Sequence, residues 1–435
     1  MSPDPSLQSE HVLVLSSGFG QGTDQRRPEV DARSAQQSDG RKLMKSSNRQ
    51  RLSRPGLSRT PTFLSAILVS CTALACILPA GATAKPIGSD ATNLQQDVDA
   101  LVAAGAPGAI LLVRNGSKTT RLVSGVADLA TERKISQGDH YRIASLTKTY
   151  VATVVLQLVA EGKLRLADTV ERWLPGVVPN GNKITIRMLL NHTSGLYDHE
   201  RDPEVLAPYL SGDLGYYWSP LRLVTLATSR PPLFAPGATK LSVYSSTNYV
   251  VLGLVVSAVS GRSLGAELKQ RIFQPLHLAQ TTYPTSMTQL PNTYAHGYLM
   301  LEPPTLTDLS GFSPSLSGPA GAIVSTVGDV AGFYRALLSG RLLKPAQLRA
   351  MKTTLPEAKA DLVQRMGYGL IRFSTPCGAA WGHSGSFPGY WTHAWSSGNG
   401  QRQVVLMVNI DPMSVTAEGT AAFYKTLGNA YCGTP

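Results

Sequence analysis

The stretch Tyr141-Arg142-Ile143-Ala144-Ser145-Leu146-Thr147-Lys148 holds a serine three residues ahead of a lysine, where a helical pattern begins. From Leu146 the apolar positions recur at three and four through Val151, Val154, Val155, Leu158 and Val159, and Glu161-Gly162 supplies an end. A spacing of three stacks two side chains on one helix face, so a hydroxyl and an amine meet at the distance a nucleophile needs from its base. Ser145 would stand at the helix N-terminus, where unpaired N–H groups and the positive dipole end favour a developing oxyanion. A serine there is also an ordinary N-cap, and a lysine one turn later an ordinary surface residue. Other segments choose between these readings.

Working outward, Ala109 to Arg114, the turn Asn115-Gly116 and then Thr119 to Val126 read as a strand, a tight turn and a second strand. Asp168 to about Pro319 mixes short helical patterns with many Pro and Gly, the composition of an inserted, loop-rich lobe. Ser325 or Thr326 caps a helix that runs through Leu338 to Gly340. Ala379 to His383, Tyr390 to Ser396 and Gln403 to Asn409 read as three strands, and Val415 to Ala430 as a final helix. Strands at both chain ends with helices between them predict an α/β fold of the α+β type. One antiparallel sheet flanked by helices is built from about 95–165 and 320–432, with a mainly helical lobe inserted over about 166–319.

The chain of 435 residues exceeds one ordinary core, which predicts two lobes or one large elaborated domain. Residues 1–62 are poor in aromatic residues and lack a sustained apolar period, which sets them outside the fold as a disordered, basic leader. Basic residues crowd Arg41 to Arg59, Phe63 to Ala80 runs apolar, and Gly81-Ala82-Thr83-Ala84 offers a small-residue cleavage site. Residues 63–84 thus carry the pattern of a secretory signal peptide cleaved near Ala84, with membrane contact only through the leader and a catalytic domain over 85–435. A membrane anchor is the alternative, since the apolar run approaches spanning length. Cys71 and Cys76 leave with the leader, and export predicts a disulfide between Cys377 and Cys432. The net charge of +12 falls to +8 beyond residue 84, with Lys and Arg scattered among acidic residues, a solvated surface rather than a nucleic-acid footprint.

Two further segments bear on Ser145. Tyr244-Ser245-Ser246-Thr247-Asn248-Tyr249 follows Phe234-Ala235-Pro236-Gly237, and His383-Ser384-Gly385 opens what reads as a strand edge. Ser-x-x-Lys, then Tyr, then a basic residue with a small hydroxyl residue and Gly, in that order, resembles the penicillin-recognising serine hydrolases. The run Leu189-Leu190-Asn191-His192-Thr193-Ser194-Gly195-Leu196 and the segments 234–249 and 318–329 resemble one branch of them. That branch contains D-Ala-D-Ala carboxypeptidases, class C β-lactamases and family VIII esterases. The likeness covers roughly 95–430, and several segments in the right order are a more specific signal than any one motif. His383-Ser384 in place of a Lys-Thr pair leans toward the secreted serine-type carboxypeptidases.

The resemblance implies a β-lactamase/transpeptidase-like fold and a set of roles. Ser145 would form the acyl-enzyme, and Lys148 and Tyr244 would handle its proton as a pair, with the division between them open. Lys148, its pKa lowered by burial and by a second cation, could be the base, and Tyr244, the other candidate, could relay the proton to the leaving amine. Backbone N–H groups of Ser145 and Ser386 would form the oxyanion hole, and Ser246, Ser384, Gly385 and Ser386 would line the substrate site. An imidazolium at His383 would pair with a substrate carboxylate and make activity pH-sensitive, with Arg372 as a second carboxylate partner. One position departs from the family: Ser246 stands where Asn is usual. A hydroxyl is shorter than an amide, so weakened or water-bridged contacts to Lys148 are expected.

The implied function is a D-Ala-D-Ala carboxypeptidase acting as a monomer on peptidoglycan stem peptides and acylated by β-lactams. No metal, organic cofactor or nucleic acid is called for. A β-lactamase, an esterase, or a non-hydrolysing binder of muropeptides or β-lactams are the alternatives. Gly261-Arg262-Ser263-Leu264-Gly265 also fits a G-x-S-x-G elbow, with Asp361 and His383 in triad order. An elbow needs a strand before it, and the length of Asn248 to Ser260 favours a helix that Gly261 stops and Ser263 restarts as a cap. His192 and His199 lack metal-site spacing, so His192 reads as a structural residue of its turn.

Overall fold

The computed structural model describes residues 91–286, 288–290, 293–358 and 364–433. The leader with its signal-peptide pattern, Cys71, Cys76, and Asp361 of the elbow alternative lie outside the described residues.

Eight strands make one antiparallel sheet: β1 (Gly108–Asn115), β2 (Lys118–Gly125), β3 (Leu355–Pro356), β4 (Gln364–Met366), β5 (Ile371–Thr375), β6 (Gly378–Phe387), β7 (Tyr390–Ser396) and β8 (Arg402–Val408). Their order is β2-β1-β8-β7-β6-β5-β4-β3, so the N-terminal hairpin docks beside the C-terminal strands, with Ala109 opposite Val408 and Asn115 opposite Arg402. The helices that matter here are α1 (Ala91–Ala103), α2 (Thr147–Ala160), α3 (Thr247–Ser260), α4 (Val327–Leu338) and α5 (Ala417–Cys432).

β1 is apolar without alternation because both its faces are covered. Ile110 and Leu112 join the core that holds α2, α3 and α4, while Ala109, Leu111 and Val113 join the one beneath α1 and α5. In the second core Leu94, Val98 and Leu101 of α1 pack with Phe423 and Leu427 of α5. Each such side chain contributes about 1.5–3 kcal/mol when fully buried. The α1 helix goes beyond the sequence reading, although its apolar spacing of four and three is a helical signal. α2 is buried on nearly every side from Thr147 to Leu158, enclosed by the sheet, α3 and α4.

The helix after Ser145, the Thr326-capped α4, the N-terminal hairpin and the last two strands fall where the sequence places them. β6 is longer than expected and runs on through Ser384, Gly385 and Ser386 to Phe387. The inserted stretch is not helical throughout. A hairpin of Tyr298–Glu302 and Thr305–Asp308 attaches next to the sheet, with the Tyr298 N–H donating to Asn409 O at 3.2 Å and the Asp411 N–H to Tyr298 O at 2.9 Å.

The elbow alternative fails on its preceding element. α3 ends at Gly261 with φ +68°, in the left-handed region that stops a helix, and the Ser263 hydroxyl accepts the Ala266 N–H at 3.2 Å as the cap of the next helix. Cys377 and Cys432 form the expected disulfide, with Cα atoms 5.5 Å apart, joining the start of β6 to the end of α5 across 55 residues. Closing a loop of that length stabilises a fold by about 2–4 kcal/mol. The Cys377→Ser, Cys432→Ser double variant should therefore melt several degrees lower in calorimetry, whereas an unchanged Tm would mean that the bond carries no constraint.

Candidate active site

Ser145 lies in a short 3₁₀ turn, Ala144–Leu146, that runs straight into α2. Ala144 just before it has φ +52°, a left-handed conformation that a non-glycine residue holds only when its surroundings fix it. They do. The Ile143 N–H donates to Ile323 O at 3.0 Å, and the Thr392 hydroxyl donates to Ile143 O at 3.0 Å. Gly385 of β6 lies directly against this turn, where a Cβ would come within 2.5 Å of Ile143 O and 3.0 Å of the Ala144 Cβ. Glycine is needed there because any side chain would push the sheet edge away from the nucleophile.

Lys148, one turn further, is fully buried and donates to Ser145 Oγ at 3.0 Å, to Ser246 Oγ at 3.2 Å and to Ala320 O at 3.0 Å. Three acceptors match the three protons of an ammonium. Burial lowers its pKa from 10.5 to about 8, opposed by the carboxylates of Glu200 and Asp198. No second cation produces the shift. Desolvation does, and the nearby charges act the other way.

The Tyr244 hydroxyl donates to the same Ser145 Oγ at 3.0 Å. Burial holds this phenol well above its usual pKa, so it is a proton donor at neutral pH and not a phenolate. Its ring stacks on His192 with centroids 4.6 Å apart, and Lys148 Nζ sits 4.8 Å from the ring centre. His192 templates the segment: its carbonyl accepts the Val243 N–H at 2.9 Å and its Nδ1 accepts the Ser245 N–H at 3.3 Å. That is the structural part the sequence assigned to it.

Ser246 corrects an expectation. Its contact with Lys148 is direct, because Ser246 lies fully buried where α3 begins, close enough for a short hydroxyl to serve. Beyond it stands a residue the sequence did not single out. The Ser246 hydroxyl donates to Glu200 Oε2 at 2.8 Å, and Ser317 donates to Glu200 Oε1 at 2.6 Å. A lone Glu between His199 and Arg201 has no spacing that would have marked it.

His383 corrects another. It is 1% exposed, with its ring 6.5 Å from that of Tyr244 and its Nδ1 bonded to the Ser384 carbonyl. Burial, with Lys148 nearby, drops its pKa to about 3, so it is a neutral ring and offers no charge to a substrate carboxylate. Its sister residues on β6 are placed differently. β5 pairs with β6 only as far as Gly382, opposite Ile371, so among the described residues His383 to Phe387 have a strand partner on the β7 side alone. Ser384 is partly exposed and Ser386 exposed on that open edge. Arg372 lies opposite Trp381, one register step before the edge opens, and makes no hydrogen bond or ion pair with the site among the described residues.

A partly exposed serine hydroxyl, bonded both by a buried lysine and by a phenol beside an unpaired strand edge, defines a serine hydrolase of the penicillin-binding and β-lactamase type. The chain belongs to the Beta-lactamase family, whose model matches residues 94–425. It is similar to a D-stereospecific amidohydrolase from Streptomyces sp., at 36% identity and a TM-score of 0.73, over 80% of this chain and 100% of that one. It is also similar to the D-amino acid amidase of Ochrobactrum anthropi SV3, at 26% identity and a TM-score of 0.68, over 78% and 98% of the two chains. Penicillin-binding protein 4 of Amycolatopsis lactamdurans is 28% identical over 289 residues, 64% of this chain and 70% of that protein.

The titration behaviour gives a direct test. Lys148 must be neutral to take the serine proton, and it is an ammonium below its pKa. For an uncharged ester, kcat/KM should therefore climb with pH through about 8 and show no step from His383 between pH 5 and 8. A limb near pH 6.5 would instead assign the base to a histidine.

Proposed function

We propose that this protein is an exported serine amidohydrolase that acts on the carbonyl of a D-amino acid residue through an acyl-enzyme at Ser145. The single observation that carries the chemistry is the Ser145 hydroxyl, held at 3.0 Å by both Lys148 and Tyr244. As Ser145 Oγ bonds to the substrate carbonyl carbon, its proton passes to Lys148 Nζ. The Tyr244 hydroxyl gives its proton to the departing amine and is restored from Lys148. Backbone N–H groups of Ser145 and Ser386 would receive the oxyanion, supported by the close seating of Gly385 on the Ser145 turn. Water then attacks the ester and gives a proton to the Lys148–Tyr244 pair, which passes it to Ser145 Oγ as the ester bond breaks and the acid is released.

The substrate class rests on charge and on kinship. One similar protein is named a D-stereospecific amidohydrolase and another a D-amino acid amidase. The neutral, buried His383 gives a terminal carboxylate no cationic partner, which favours a substrate whose leaving amine carries no carboxylate, such as an amide or an internal peptide bond. D-Ala-D-Ala carboxypeptidase activity is the second reading. It is favoured by the penicillin-binding relative and by the presence of Arg372 one register step before the open edge. Export is supported by the leader pattern and the disulfide.

Hydrolysis of D-phenylalanine amide, L-phenylalanine amide and an N-acylated D-Ala-D-Ala peptide should be compared at pH 8. The D-amide should turn over at least about 100-fold faster than the L-amide, and Ser145→Ala should lose about 10³-fold or more. Turnover of the D-Ala-D-Ala peptide alone would replace this reading with the carboxypeptidase. No turnover of any substrate, with penicillin still bound, would make the protein a binder.

A further inference from the structure

Ser145, Lys148, Ser246 and Glu200 form one continuous chain, linked Oγ to Nζ at 3.0 Å, Nζ to Oγ at 3.2 Å and Oγ to Oε2 at 2.8 Å. The far carboxylate oxygen is anchored by Ser317 at 2.6 Å. The direction of these bonds matters more than their lengths. A neutral amine has two N–H bonds and one lone pair, and only the lone pair can take a proton. In this site one N–H goes to the Ala320 carbonyl, which can only accept. The other can go to Ser246, provided that the hydroxyl offers an oxygen lone pair and not its hydrogen. A hydroxyl is free to do either.

Glu200 removes that freedom. An ionised carboxylate accepts hydrogen bonds and donates none, so Ser246 must spend its proton on Glu200 and can only accept from Lys148. We propose that Glu200 is a positioning residue for the catalytic amine, acting through Ser246 to aim the Lys148 lone pair at the Ser145 proton. Without it, the Ser246 hydroxyl could turn and donate to that lone pair, in competition with Ser145. Glu200 and Ser246 together supply the fixed acceptor that an Asn amide oxygen would offer at the Ser246 position. The proposal rests on Lys148 as base and is independent of which substrate is hydrolysed.

The surroundings are consistent with an ionised Glu200. Burial opposes its charge, but Lys148, His199 and the hydroxyls of Ser317 and Ser246 outweigh burial and hold it below the usual carboxylate range. The other groups facing Lys148 are Asp198, which accepts the Ser246 N–H at 3.0 Å, the rings of Tyr244 and Tyr249, and the neutral imidazoles of His192 and His383. After proton transfer the new ammonium has its three acceptors in place, with the Glu200 charge next in line.

The test uses p-nitrophenyl acetate, which has neither an amino group nor a D-centre, so any loss reports on the amine and not on substrate recognition. A D-specificity failure would leave it untouched. Glu200→Gln, whose amide can donate to Ser246, should lower kcat about tenfold or more with KM little changed. Its kcat/KM limb should also move to lower pH, because a charge that raises the Lys148 pKa is gone. Ser246→Ala should lose a similar factor, and the double variant should lose no more than the worse single one. Additive losses, an unmoved limb, or a Ser246→Ala enzyme with wild-type kcat would each overturn the proposal. If Glu200→Gln does not fold, the Ser246→Ala result decides alone.

Discussion

The burial of one amine beside one hydroxyl is the constraint on which this active site depends. A lysine in water is an ammonium and cannot take a proton. Inside α2, walled by the sheet and α3, the Lys148 charge is penalised, and a fall from 10.5 to about 8 amounts to about 3 kcal/mol in favour of the neutral form. Desolvation unopposed by nearby carboxylates would lower the pKa further and leave a weaker base. Glu200, Asp198 and the Ala320 carbonyl hold the ammonium within reach, so that Lys148 can pass between both states near neutral pH.

The fold delivers that environment by bringing distant segments onto one turn. The 3₁₀ turn at Ala144–Leu146 exposes Ser145 while the helix that follows it withdraws Lys148 from water. Gly385 lets β6 press against the turn from the sheet, and His192 stacks beneath Tyr244 from the inserted lobe. Where β5 stops at Ile371, β6 is left with an unpaired edge. An extended peptide or amide can pair there, as backbones do on open strand edges. On the proposed mechanism, catalysis would draw on the centre of the molecule for its base and on a rim of the sheet for its substrate.

Much of this was legible in the residues because it follows from spacing and order. Ser145 and Lys148 announce themselves by a three-residue step on an apolar-periodic helix, and the Cys377–Cys432 bond by being the two cysteines beyond residue 84. Ser263 was separable from a nucleophile because Val-rich α3 has a helix length and a glycine stop. Charge states were not legible. His383 looks cationic in a motif, yet its protonation is decided by burial that only the packed strands reveal. Glu200 carries no motif, and the short reach of Ser246 reads as a defect in the sequence, whereas the start of α3 brings it to the amine. The strands β3 to β5 are too short for periodicity to register them.

The most direct measurement is the titration of Lys148 itself, by NMR of protein carrying lysine labelled at the ε-carbon and ζ-nitrogen, assigned by comparison with Lys148→Arg. Burial as described here predicts a midpoint near pH 8 for that resonance, well separated from the exposed lysines. A midpoint at the ordinary 10.5 would show an amine that stays charged throughout the working range, and with it the base at Ser145 would be lost.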